Sequence, residues 1–533
     1  MSKYLGIDAS TQSLTGLVID TAREAIEAEV AVGFDEHFAD RYGVTNGVID
    51  MGGGVVHSSP LMWIEALDLL LTGLRASGIE LESFRAIAGS GQQHGTVYLN
   101  DTAVTALAAV HGGAPLGDQL QGILSRATAP VWMDTSTTHQ CREIEAAVGG
   151  RDALLELTGN TAFERFSGPQ IRKFQQTAPD EYAATAHIQL VSSFMASVLA
   201  GRLVPVDPGD GSGTNMMDIR TRQWSPRALA ATAPNLDRRL LPIIPATRSA
   251  GRVSPYFVQR HGLSPDCLVV PFSGDNPCSL IGMGLVRPGQ VALSLGTSDT
   301  LFACMDAPRV SREGEGALFA SPDDVHYMAL LCYLNGSLAR EAVRNRYGLD
   351  WDGFAAALRA TPPGNGGALM LPYFAPEIVP HVPEPGVVRQ HLGEDDTAAN
   401  VRAVIEAQAL SSRLHSRWMD VDITSLYVTG GASANVDILQ IYADVHQCTV
   451  HRFETTNSAA LGAALRACYG YELACGRGPE WPAVVGPFTR PVAGSEIRPR
   501  QETAGIYAAA MRHYAELENR HANTDGKDDT SCC

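Results

Sequence analysis

Two short polar turns contain the residue types that hold phosphate groups. Asp8 ends an apolar run and precedes Ala9-Ser10-Thr11-Gln12-Ser13, and Gly296-Thr297-Ser298-Asp299 follows another apolar run. A tight turn between strands directs successive backbone N–H groups and hydroxyls at one point, which makes an anion site without lysine. Asp8 adds a carboxylate of the kind that binds hydrated magnesium. One such turn alone is typical of an ordinary hairpin, but two of them, each opening one half of the chain, favour phosphate binding.

Asp275 is the candidate general base. It follows the apolar run Leu268–Phe272, where a buried strand ends and a helix begins. A carboxylate beside a cleft can take the proton of an alcohol that attacks phosphorus. It can also simply cap the helix. The sequence leaves both roles open.

A third polar segment suits a hydroxyl-rich ligand. Gln92, Gln93 and His94 form a glycine-flanked turn whose neutral side chains both donate and accept hydrogen bonds. The alternative is a satisfied surface loop. Asp134 and Arg165, each taken alone, are typical of buried structural ion pairs.

A pair of glycines marks a fourth candidate segment. Gly430-Gly431-Ala432-Ser433 follows an apolar strand and precedes a helix. Glycine lets the backbone approach a flat ligand closely, and the helix N-terminus favours anions. Strand–Gly-Gly–helix junctions are also common without any ligand.

Alternating strands and helices must position these segments. Hydrophobic periodicity predicts strands at 4–8, 14–19, 86–88, 96–98, 268–272, 290–295, 300–304, 328–333 and 426–429, and helices at 60–76, 139–157, 168–177, 187–201, from 337, 398–417, 435–446 and 458–469. The strand–polar turn–strand unit recurs about 285 residues later, which indicates two related α/β domains with a cleft between them. We expect an N-terminal domain at 1–286, a C-terminal domain at 287–515 and a flexible polar tail at 516–533.

Length and charge bound the class of protein. The chain has 533 residues, 45% of them hydrophobic and 18% charged, and a net charge of −18. This composition is globular, and the acidic balance disfavours nucleic acid and anionic membranes as partners. No apolar run approaches the ~20 residues that span a bilayer, and the N-terminus lacks the pattern of a signal peptide. The ten cysteines form no Cys-x-x-Cys pair, so we expect reduced thiols and a cytoplasmic location.

Lysine usage excludes one class of nucleotide-binding protein. The lysines are Lys3, Lys173 and Lys527, and none lies in a Gly-Lys-Ser/Thr context. A Walker A loop needs that context, so the chain is not a P-loop NTPase. A protein-kinase fold, which needs a strand lysine paired with a helix glutamate, is disfavoured for the same reason.

Taken in order, seven segments resemble the motifs of the FGGY family of carbohydrate kinases, within the actin-like ATPase superfamily. They are 89–95 (GSGQQHG), 130–134 (PVWMD), 164–166 (ERF), 210–213 (DGSG), 274–277 (GDNP), 293–300 (LSLGTSDT) and 429–433 (TGGAS). The resemblance extends from about Leu5 to Ala509 and is greatest with the animal-type xylulokinases. It implies two actin-like (ribonuclease H-like) domains that flank a nucleotide and sugar cleft. The implied reaction is ATP-dependent phosphorylation of D-xylulose at O5.

The resemblance also implies roles for individual residues. The implied contacts to ATP and magnesium are Asp8, Thr11 and Gln12 in the first phosphate loop, with Asp8 near the metal, Gly296 and Thr297 in the second, and Gly430, Gly431, Asn435 and Trp351 at the adenosine site. The implied sugar contacts are His94, Arg165, Asp275 and Asn276, with Asp275 as the catalytic base.

Two segments depart from the family pattern. Residues 171–176 lack the Lys-Leu-x-Trp-Leu pattern expected after Arg165, and Ala399-Asn400 does not supply the polar-then-apolar pair expected before 402–406. The first departure bears on the sugar pocket. Alternative functions are a kinase for ribulose, gluconate or glycerol, a catalytically silent sugar-binding protein on the same fold, and a chaperone-like or filament-forming ATPase. A homodimer is an expectation that the sequence does not determine.

Overall fold

The structure is a computed structural model that describes residues 2–454 and 457–525. The strands of the first half are β1 (Lys3–Ala9), β2 (Ser13–Asp20), β3 (Ala25–Gly33), β4 (Ile49–Asp50), β5 (Val56–Ser58), β6 (Phe84–Gly91), β7 (Thr96–Leu99), β8 (Ala129–Pro130), β9 (His187–Leu190), β10 (Met217–Asp218), β11 (Gln223–Trp224), β12 (Gly251–Arg252), β13 (Leu268–Val269) and β14 (Ser273–Gly274). The helices of this half are α1 (Phe34–Tyr42), α2 (Pro60–Ala76), α3 (Ala103–Ala109), α4 (Leu116–Leu120), α5 (Thr138–Ala147), α6 (Arg151–Thr158), α7 (Ser167–Thr177), α8 (Pro179–Ala183), α9 (Val191–Ala200), α10 (Pro208–Gly211), α11 (Pro226–Thr232), α12 (Leu236–Arg239), α13 (Pro255–His261) and α14 (Asp275–Gly282).

The second half contains fewer and longer elements. Its strands are β15 (Gln290–Leu295), β16 (Asp299–Met305), β17 (Ala317–Ala320), β18 (Tyr327–Tyr333), β19 (Leu369–Tyr373), β20 (Gly386–Gln390), β21 (Ser425–Thr429) and β22 (Thr449–Arg452). Its helices are α15 (Ser337–Arg346), α16 (Trp351–Ala360), α17 (Thr397–His415), α18 (Val436–His446), α19 (Ser458–Ala474), α20 (Trp481–Val485) and α21 (Ala504–Asp525).

The main sheet of the first half brings several strand ends to one edge. Its order is β12-β13-β6-β1-β2-β3, with β14 also paired to β6. β1 is antiparallel to β2 and parallel to β6, and β13 and β14 are parallel to β6 as well. The carboxyl ends of β1, β6 and β14 therefore lie together, at the edge where α/β sheets bind their ligands.

The main sheet of the second half repeats this pattern. Its order is β17-β18-β16-β15-β21-β22. β15 is antiparallel to β16 and parallel to β21, as β1 is to β2 and β6. β18 and β22 take the places of β3 and β14. The predicted repeat of two α/β units is thus confirmed, in the ribonuclease H-like arrangement expected of an actin-like protein.

Helix α19 of the second half packs directly on the sheet of the first. It lies against β1 and β6, and Gly6 approaches the Ala460 backbone so closely that a Cβ would overlap it. α19 also packs along α14, where Gly282 and Gly462 allow the two backbones to touch. The fully buried Arg466 donates from α19 to backbone carbonyl oxygens of the first half. The two halves therefore share part of their core.

Strand β17 makes a second contact between the halves. The Asn160 side chain donates to Leu318 O at 2.7 Å and accepts from Leu318 N at 3.0 Å, as a neighbouring strand would. Ser212 Oγ accepts from Ala320 N at 3.0 Å. These bonds cover the edge of β17 with polar groups from the first half.

Three predicted elements differ from the structure. The predicted helix 139–157 is divided into α5 and α6, because Gly149 and Gly150 take φ values of +88° and +109°. The predicted helix 187–201 begins as β9, whose residues pair with β7, and becomes helical only at Val191. The predicted strand 268–272 consists of the two-residue strand β13, with β14 following after a break. In the first two cases a glycine pair or a distant strand partner overrides the local pattern.

The predicted tail at 516–533 is wrong for its first part. α21 continues to Asp525, and Leu517 is buried in line with Tyr507, Met511 and Tyr514. Tyr373 donates its hydroxyl to Glu518 Oε1 at 2.8 Å. The apolar stripe at helical spacing thus extends past the point where the composition becomes polar. Residues 526–533, including Cys532 and Cys533, lie outside the described residues.

Candidate active site

Asp8 and Asp275 meet at the edge of the N-terminal sheet. Asp8 lies in β1 beside Ser90 of β6, and Asp275 follows β14 on the other side of β6. Ser90 Oγ donates to Asp8 Oδ1 at 2.7 Å. Burial raises the pKa of Asp8 to about 6, against the effect of this hydrogen bond. The sequence predicted the two carboxylates separately, and parallel strand pairing brings them to the same edge.

Asp275 is held through one of its carboxylate oxygens. Oδ1 accepts from the Asn276 backbone N–H at 2.8 Å, from Asn276 Nδ2 at 3.0 Å and from the Gln93 backbone N–H at 3.3 Å. No described residue donates to Oδ2. Burial raises the pKa of Asp275 to about 7, and the negative charge of Asp8 adds to the rise. A carboxylate with this pKa and a free oxygen suits a general base near neutral pH.

The alternative role of Asp275, a helix cap, does not fit its contacts. The N-cap residue of α14 is Gly274, and α14 begins at Asp275 itself. A capping side chain accepts from backbone N–H groups two or three residues further along its own helix. Asp275 instead accepts from its immediate neighbour and from Gln93 in a different loop.

The turn at Gln92–His94 separates the first phosphate loop from the base. Gln92 Oε1 accepts from Thr11 Oγ1 at 3.4 Å. Gln93 Oε1 accepts from Asn276 Nδ2 at 3.3 Å, on the opposite side. The sequence singled out this turn for hydroxyl binding, but the contact between Gln93 and the base was not predicted.

His94 lies between aromatic rings from both halves of the chain. Its ring centroid is 4.1 Å from that of Phe166 and 6.2 Å from that of Phe319 in β17. Burial and the positive charge of Arg165 hold the pKa of His94 well below its usual range. The neutral imidazole offers one donor and one acceptor, which suits a sugar hydroxyl. Phe319 was missed because only the packing of the two halves brings it here.

Arg165 is the exposed member of the predicted sugar contacts. Its guanidinium lies 5.3 Å from the Phe163 ring centroid and makes no hydrogen bond or ion pair with a described residue. Its charge acts on His94, so the two lie near each other. Arg165 is therefore not the buried ion-pair member that its sequence context alone suggested, and its donors are free for a ligand.

Asp134 is a buried structural anchor. Its carboxylate accepts from Val56 N at 3.1 Å and from Gln170 Nε2 at 2.9 Å. His57 lies 3.8 Å away, but burial lowers the pKa of His57 to about 4, which leaves it neutral. The expected ion pair is thus replaced by neutral donors. Because Gln170 Nε2 also donates to Glu164 O at 3.0 Å, Asp134 supports the loop that presents Arg165.

Trp132 contacts the first phosphate loop. Its indole N–H donates to Thr11 Oγ1 at 2.8 Å, although 42% of Trp132 is exposed. Gln12 follows with an exposed side chain that has no hydrogen bond to a described residue, while its carbonyl accepts from Phe34 N at 2.8 Å. Thr11 and Gln12 thus lie in the turn between β1 and β2, and their role in phosphate binding stays a prediction. Trp132 belongs to the 130–134 segment, but no role was predicted for it.

A cavity of about 700 Å³ opens beside the second predicted phosphate turn. Five predicted nucleotide contacts line this cavity, namely Gly296, Thr297, Trp351, Gly431 and Asn435. Small-molecule sites typically measure about 300–1,000 Å³. The cavity brings together the second phosphate turn and the glycine junction, which lie far apart in the sequence.

The two glycines of the junction have different surroundings. Gly430 has a φ of +86°, and a Cβ on it would overlap the Leu295 backbone at the end of β15. A Cβ on Gly431 would meet no atom within 4 Å. Gly430 is therefore required by the packing of the junction, and Gly431 is the glycine that borders the cavity.

Asn435 and Trp351 border the cavity from two helices. Asn435 caps α18, because its Oδ1 accepts from Asp437 N at 2.9 Å and from Ile438 N at 3.2 Å. Trp351 begins α16 and is 45% exposed, with the Arg344 guanidinium 4.5 Å from its ring centroid. A cap that orients its amide and an exposed aromatic face suit a flat base.

Asp210 is a buried carboxylate behind the sugar contacts. Burial raises its pKa to about 8, against a hydrogen bond from Ser192 Oγ and with the help of the nearby charge of Asp275. It is thus largely protonated near neutral pH and adds little charge behind the base. Gly213 of the same motif lies against the His94 ring, where a Cβ would overlap Nδ1. The sequence predicted the segment 210–213 as a family motif but no role for Asp210 within it.

The described residues contain no cluster of three or more His, Cys, Asp or Glu side chains suited to a metal ion. Magnesium needs fewer ligands, because it commonly binds one or two carboxylates together with waters and substrate phosphates. Asp8 fits such a site, since it is 6% exposed and has no positive partner among the described residues. Its raised pKa reflects a carboxylate that a cation would stabilise in its ionised form.

Both halves match one family. Residues 3–282 match the N-terminal domain of the FGGY family of carbohydrate kinases, and residues 291–471 match its C-terminal domain. The xylulose kinase of Mus musculus is 40% identical over 98% of this chain and 94% of its own length. Xylulose kinase 2 of Arabidopsis thaliana is 42% identical over 88% of this chain and 87% of its own length.

Solved structures agree in fold. The xylulose kinase of Rhodospirillum rubrum superposes with a TM-score of 0.81 at 20% identity, over 98% of this chain and 99% of that one. The structure of Plasmodium falciparum glycerol kinase with ADP superposes with a TM-score of 0.75 at 17% identity, over 97% of this chain and 98% of that one. At these identities the likeness establishes the two-domain, actin-like fold. Together with the matches of both domains and the full-length relatives, it establishes that the chain belongs to the FGGY family of carbohydrate kinases.

Proposed function

We propose that this chain transfers the γ-phosphoryl group of ATP to O5 of D-xylulose, giving D-xylulose 5-phosphate and ADP. The relatives named xylulose kinase, 40% and 42% identical over most of the chain, support the substrate. The observation that carries the chemistry is the position of Asp275, whose pKa of about 7 and free Oδ2 suit a base between the sugar and phosphate contacts.

The sugar contacts hold the reacting hydroxyl against Asp275. His94, Arg165 and Asn276 supply donors and acceptors for the hydroxyls of the open-chain ketose. Asp275 Oδ2 accepts the proton of the O5 hydroxyl as the bond from O5 to the γ-phosphorus forms. The bond from that phosphorus to the oxygen shared with the β-phosphate breaks, and ADP leaves with its electron pair.

The nucleotide contacts hold ATP on the other side of the cleft. We assign the phosphates to the turns at Asp8–Gln12 and Gly296–Thr297, and the adenosine to Gly431, Asn435 and Trp351, with Gly430 shaping the junction that presents Gly431. Asp8 would hold magnesium, which when bound neutralises charge on the β- and γ-phosphates. Most of the rate enhancement would then come from positioning and charge stabilisation.

Further features of the chain remain proposals. We divide it into an N-terminal sugar domain at 1–286 and a C-terminal nucleotide domain at 287–515, with α19 of the second packed on the first. The expected homodimer and the cytoplasmic location stay predictions. Among the described residues, no helix is long and apolar enough to cross a bilayer.

A substrate panel tests the proposed reaction. Purified protein is assayed with ATP and magnesium against D-xylulose, ribulose, hexuloses, gluconate and glycerol. We expect the highest kcat/KM with D-xylulose, because inverting one hydroxyl leaves buried polar groups without partners. A higher kcat/KM with ribulose, gluconate or glycerol would assign a different substrate. ATP turnover without any dependence on sugar would favour the chaperone-like or filament-forming ATPase, and sugar binding without turnover would favour the silent binding protein.

A further inference from the structure

Arg340 in α15 is buried directly behind the second phosphate turn. It is 1% exposed, and its guanidinium donates to both carboxylate oxygens of Asp299, at 2.8 and 3.0 Å. It also donates to Gly296 O at 3.1 Å and to Gln408 Oε1 at 3.0 Å. Arg340 also borders the cavity beside the turn, but at 1% exposure its guanidinium is engaged by these contacts within the protein.

The turn is fixed through its carbonyl groups. The Ser337 N–H, at the start of α15, donates to Gly296 O at 2.9 Å and to Thr297 O at 3.1 Å. Gly296 O thus has two donors, one from the backbone and one from Arg340. Gly336 allows this approach, because a Cβ there would lie 2.7 Å from Thr297 O.

Fixing these carbonyls also directs two N–H groups. In a trans peptide the C=O and the following N–H point in opposite directions. Gly296 O and Thr297 O face α15, so the N–H groups of Thr297 and Ser298 face away from it. Neither N–H donates to any described residue. Two successive free N–H groups form a concavity that binds anions.

Gln408 of α17 links Arg340 to the backbone of the segment before α15. Its Nε2 donates to Asn335 O at 2.7 Å and to Gly336 O at 2.9 Å, while its Oε1 accepts from Arg340. Asp299 from β16, Arg340 from α15 and Gln408 from α17 therefore form one buried network around the turn.

We infer that Asp299, Arg340 and Gln408 are positioning residues that hold the Thr297 and Ser298 N–H groups toward the nucleotide phosphates. This inference rests on the proposed nucleotide site and adds to it the groups that shape the phosphate turn. The network acts on phosphate binding and leaves the adenosine contacts of the cavity unchanged.

The test compares nucleotides with and without phosphates. Arg340→Lys keeps the charge but loses the paired geometry, and Asp299→Asn keeps the shape but loses the charge. Arg402→Lys is the matched control, because Arg402 is also a buried arginine of this half, paired with Glu406 at 2.9 Å and outside the phosphate turn. Affinities for ADP and for adenosine are measured by calorimetry on the full chain, together with a thermal melt.

We expect Arg340→Lys and Asp299→Asn to weaken ADP about ten- to hundredfold, as loss of well-placed charge-assisted bonds would. Adenosine affinity should change less than about twofold, and KM for the sugar should not move. Arg402→Lys should bind both ligands normally even if its Tm falls.

Equal losses of ADP and adenosine affinity would overturn the inference, as would unchanged ADP affinity in folded Arg340→Lys and Asp299→Asn. A matching ADP loss in Arg402→Lys would also overturn it. If one of the first two variants does not fold, the other gives the same readout. Failure of the proposed function is separate, because it would appear as absent ADP and adenosine binding or absent sugar phosphorylation in the unmodified protein.

Discussion

The two halves of the molecule present different kinds of groups to the cleft. In the N-terminal half the candidate groups are side chains, and two of them, Asp8 and His94, are each only 6% exposed, with pKa values that burial shifts. In the C-terminal half they are mostly backbone groups around an open cavity, with Trp351 45% exposed. Buried side chains can select one sugar and react with it, whereas backbone groups can hold a nucleotide that many enzymes share. If this division is correct, variants in the two halves will fail in different steps.

The largest expected effect comes from Asp275→Asn. The asparagine keeps the shape and part of the hydrogen bonding but cannot take the O5 proton. Removal of a general base typically lowers the rate ~10²–10⁴-fold. ATP affinity should barely change, because its proposed contacts lie elsewhere. Steady-state kinetics, nucleotide calorimetry and a thermal melt on this one variant check the prediction.

A helix-capping role for Asp275 gives the opposite pattern. Asparagine caps a helix about as well as aspartate, so a capping role predicts near-normal turnover and little change in the free energy of unfolding for Asp275→Asn. A folded Asp275→Asn protein that retained more than about a tenth of the wild-type kcat, against the ~10²-fold minimum loss, would remove Asp275 from the catalytic role.

Asp8→Ala should have the next largest effect. The substitution removes the proposed magnesium ligand, so we expect kcat to fall about ten- to hundredfold. We also expect a higher magnesium concentration to be needed for half-maximal kcat. The measurement is a magnesium titration of kcat at saturating ATP and sugar. An unchanged magnesium dependence would argue that the metal binds elsewhere.

The two neighbouring glycines should respond differently to alanine. Gly430→Ala forces a side chain into a left-handed backbone and against Leu295, which costs ~1–2 kcal/mol for the conformation alone. We expect ATP affinity to fall about tenfold, with KM for the sugar unchanged. Gly431→Ala, which meets no neighbouring atom, should change ATP affinity less than about threefold. Calorimetry with ATP distinguishes the two variants. Equal losses of ATP affinity would contradict the inference that only Gly430 is packed against neighbouring backbone.

The smallest effect is a shift in pH dependence. Asp275 must be ionised to take a proton, and with its pKa raised to about 7 the active fraction falls as pH drops through 7. We therefore expect kcat/KM to fall about tenfold per unit at low pH. Asp8→Asn removes a negative neighbour, so the pKa of Asp275 should decrease and the residual activity should extend to lower pH. A profile that moved to higher pH in this variant would contradict the electrostatic link.

Local sequence patterns predicted helices and strands well where residues such as proline or glycine define the ends of the element. α2 has the predicted bounds, because Pro60 opens it and its apolar residues repeat at helical spacing. The strands β15 and β21 and the turns after them were also predicted, since each apolar run ends at a glycine-containing turn. The errors at Gly149–Gly150 and at β9 arose where a left-handed backbone or a distant partner decided the conformation.

The candidate site could be predicted by residue type but not by contact. Many of the predicted residues lie at strand ends, turns or helix starts, where side-chain chemistry is visible in the sequence, and their assigned roles remain predictions. The contacts Trp132–Thr11, Gln93–Asp275 and His94–Phe319 were not predictable, because each joins segments that only strand order or the packing of the two halves brings together.

The packing of α19 on the first sheet has a consequence for synthesis on the ribosome. β1 and β6 are made early, but the helix that covers one of their faces ends at Ala474. During synthesis the N-terminal half therefore exposes this apolar face until most of the chain has left the ribosome. The backbone carbonyls that later accept from Arg466 are exposed for the same time. We expect a fragment ending near residue 286 to aggregate when expressed alone and to become soluble when the remaining residues are supplied in trans. A soluble, cooperatively melting fragment would show that the first half folds without α19.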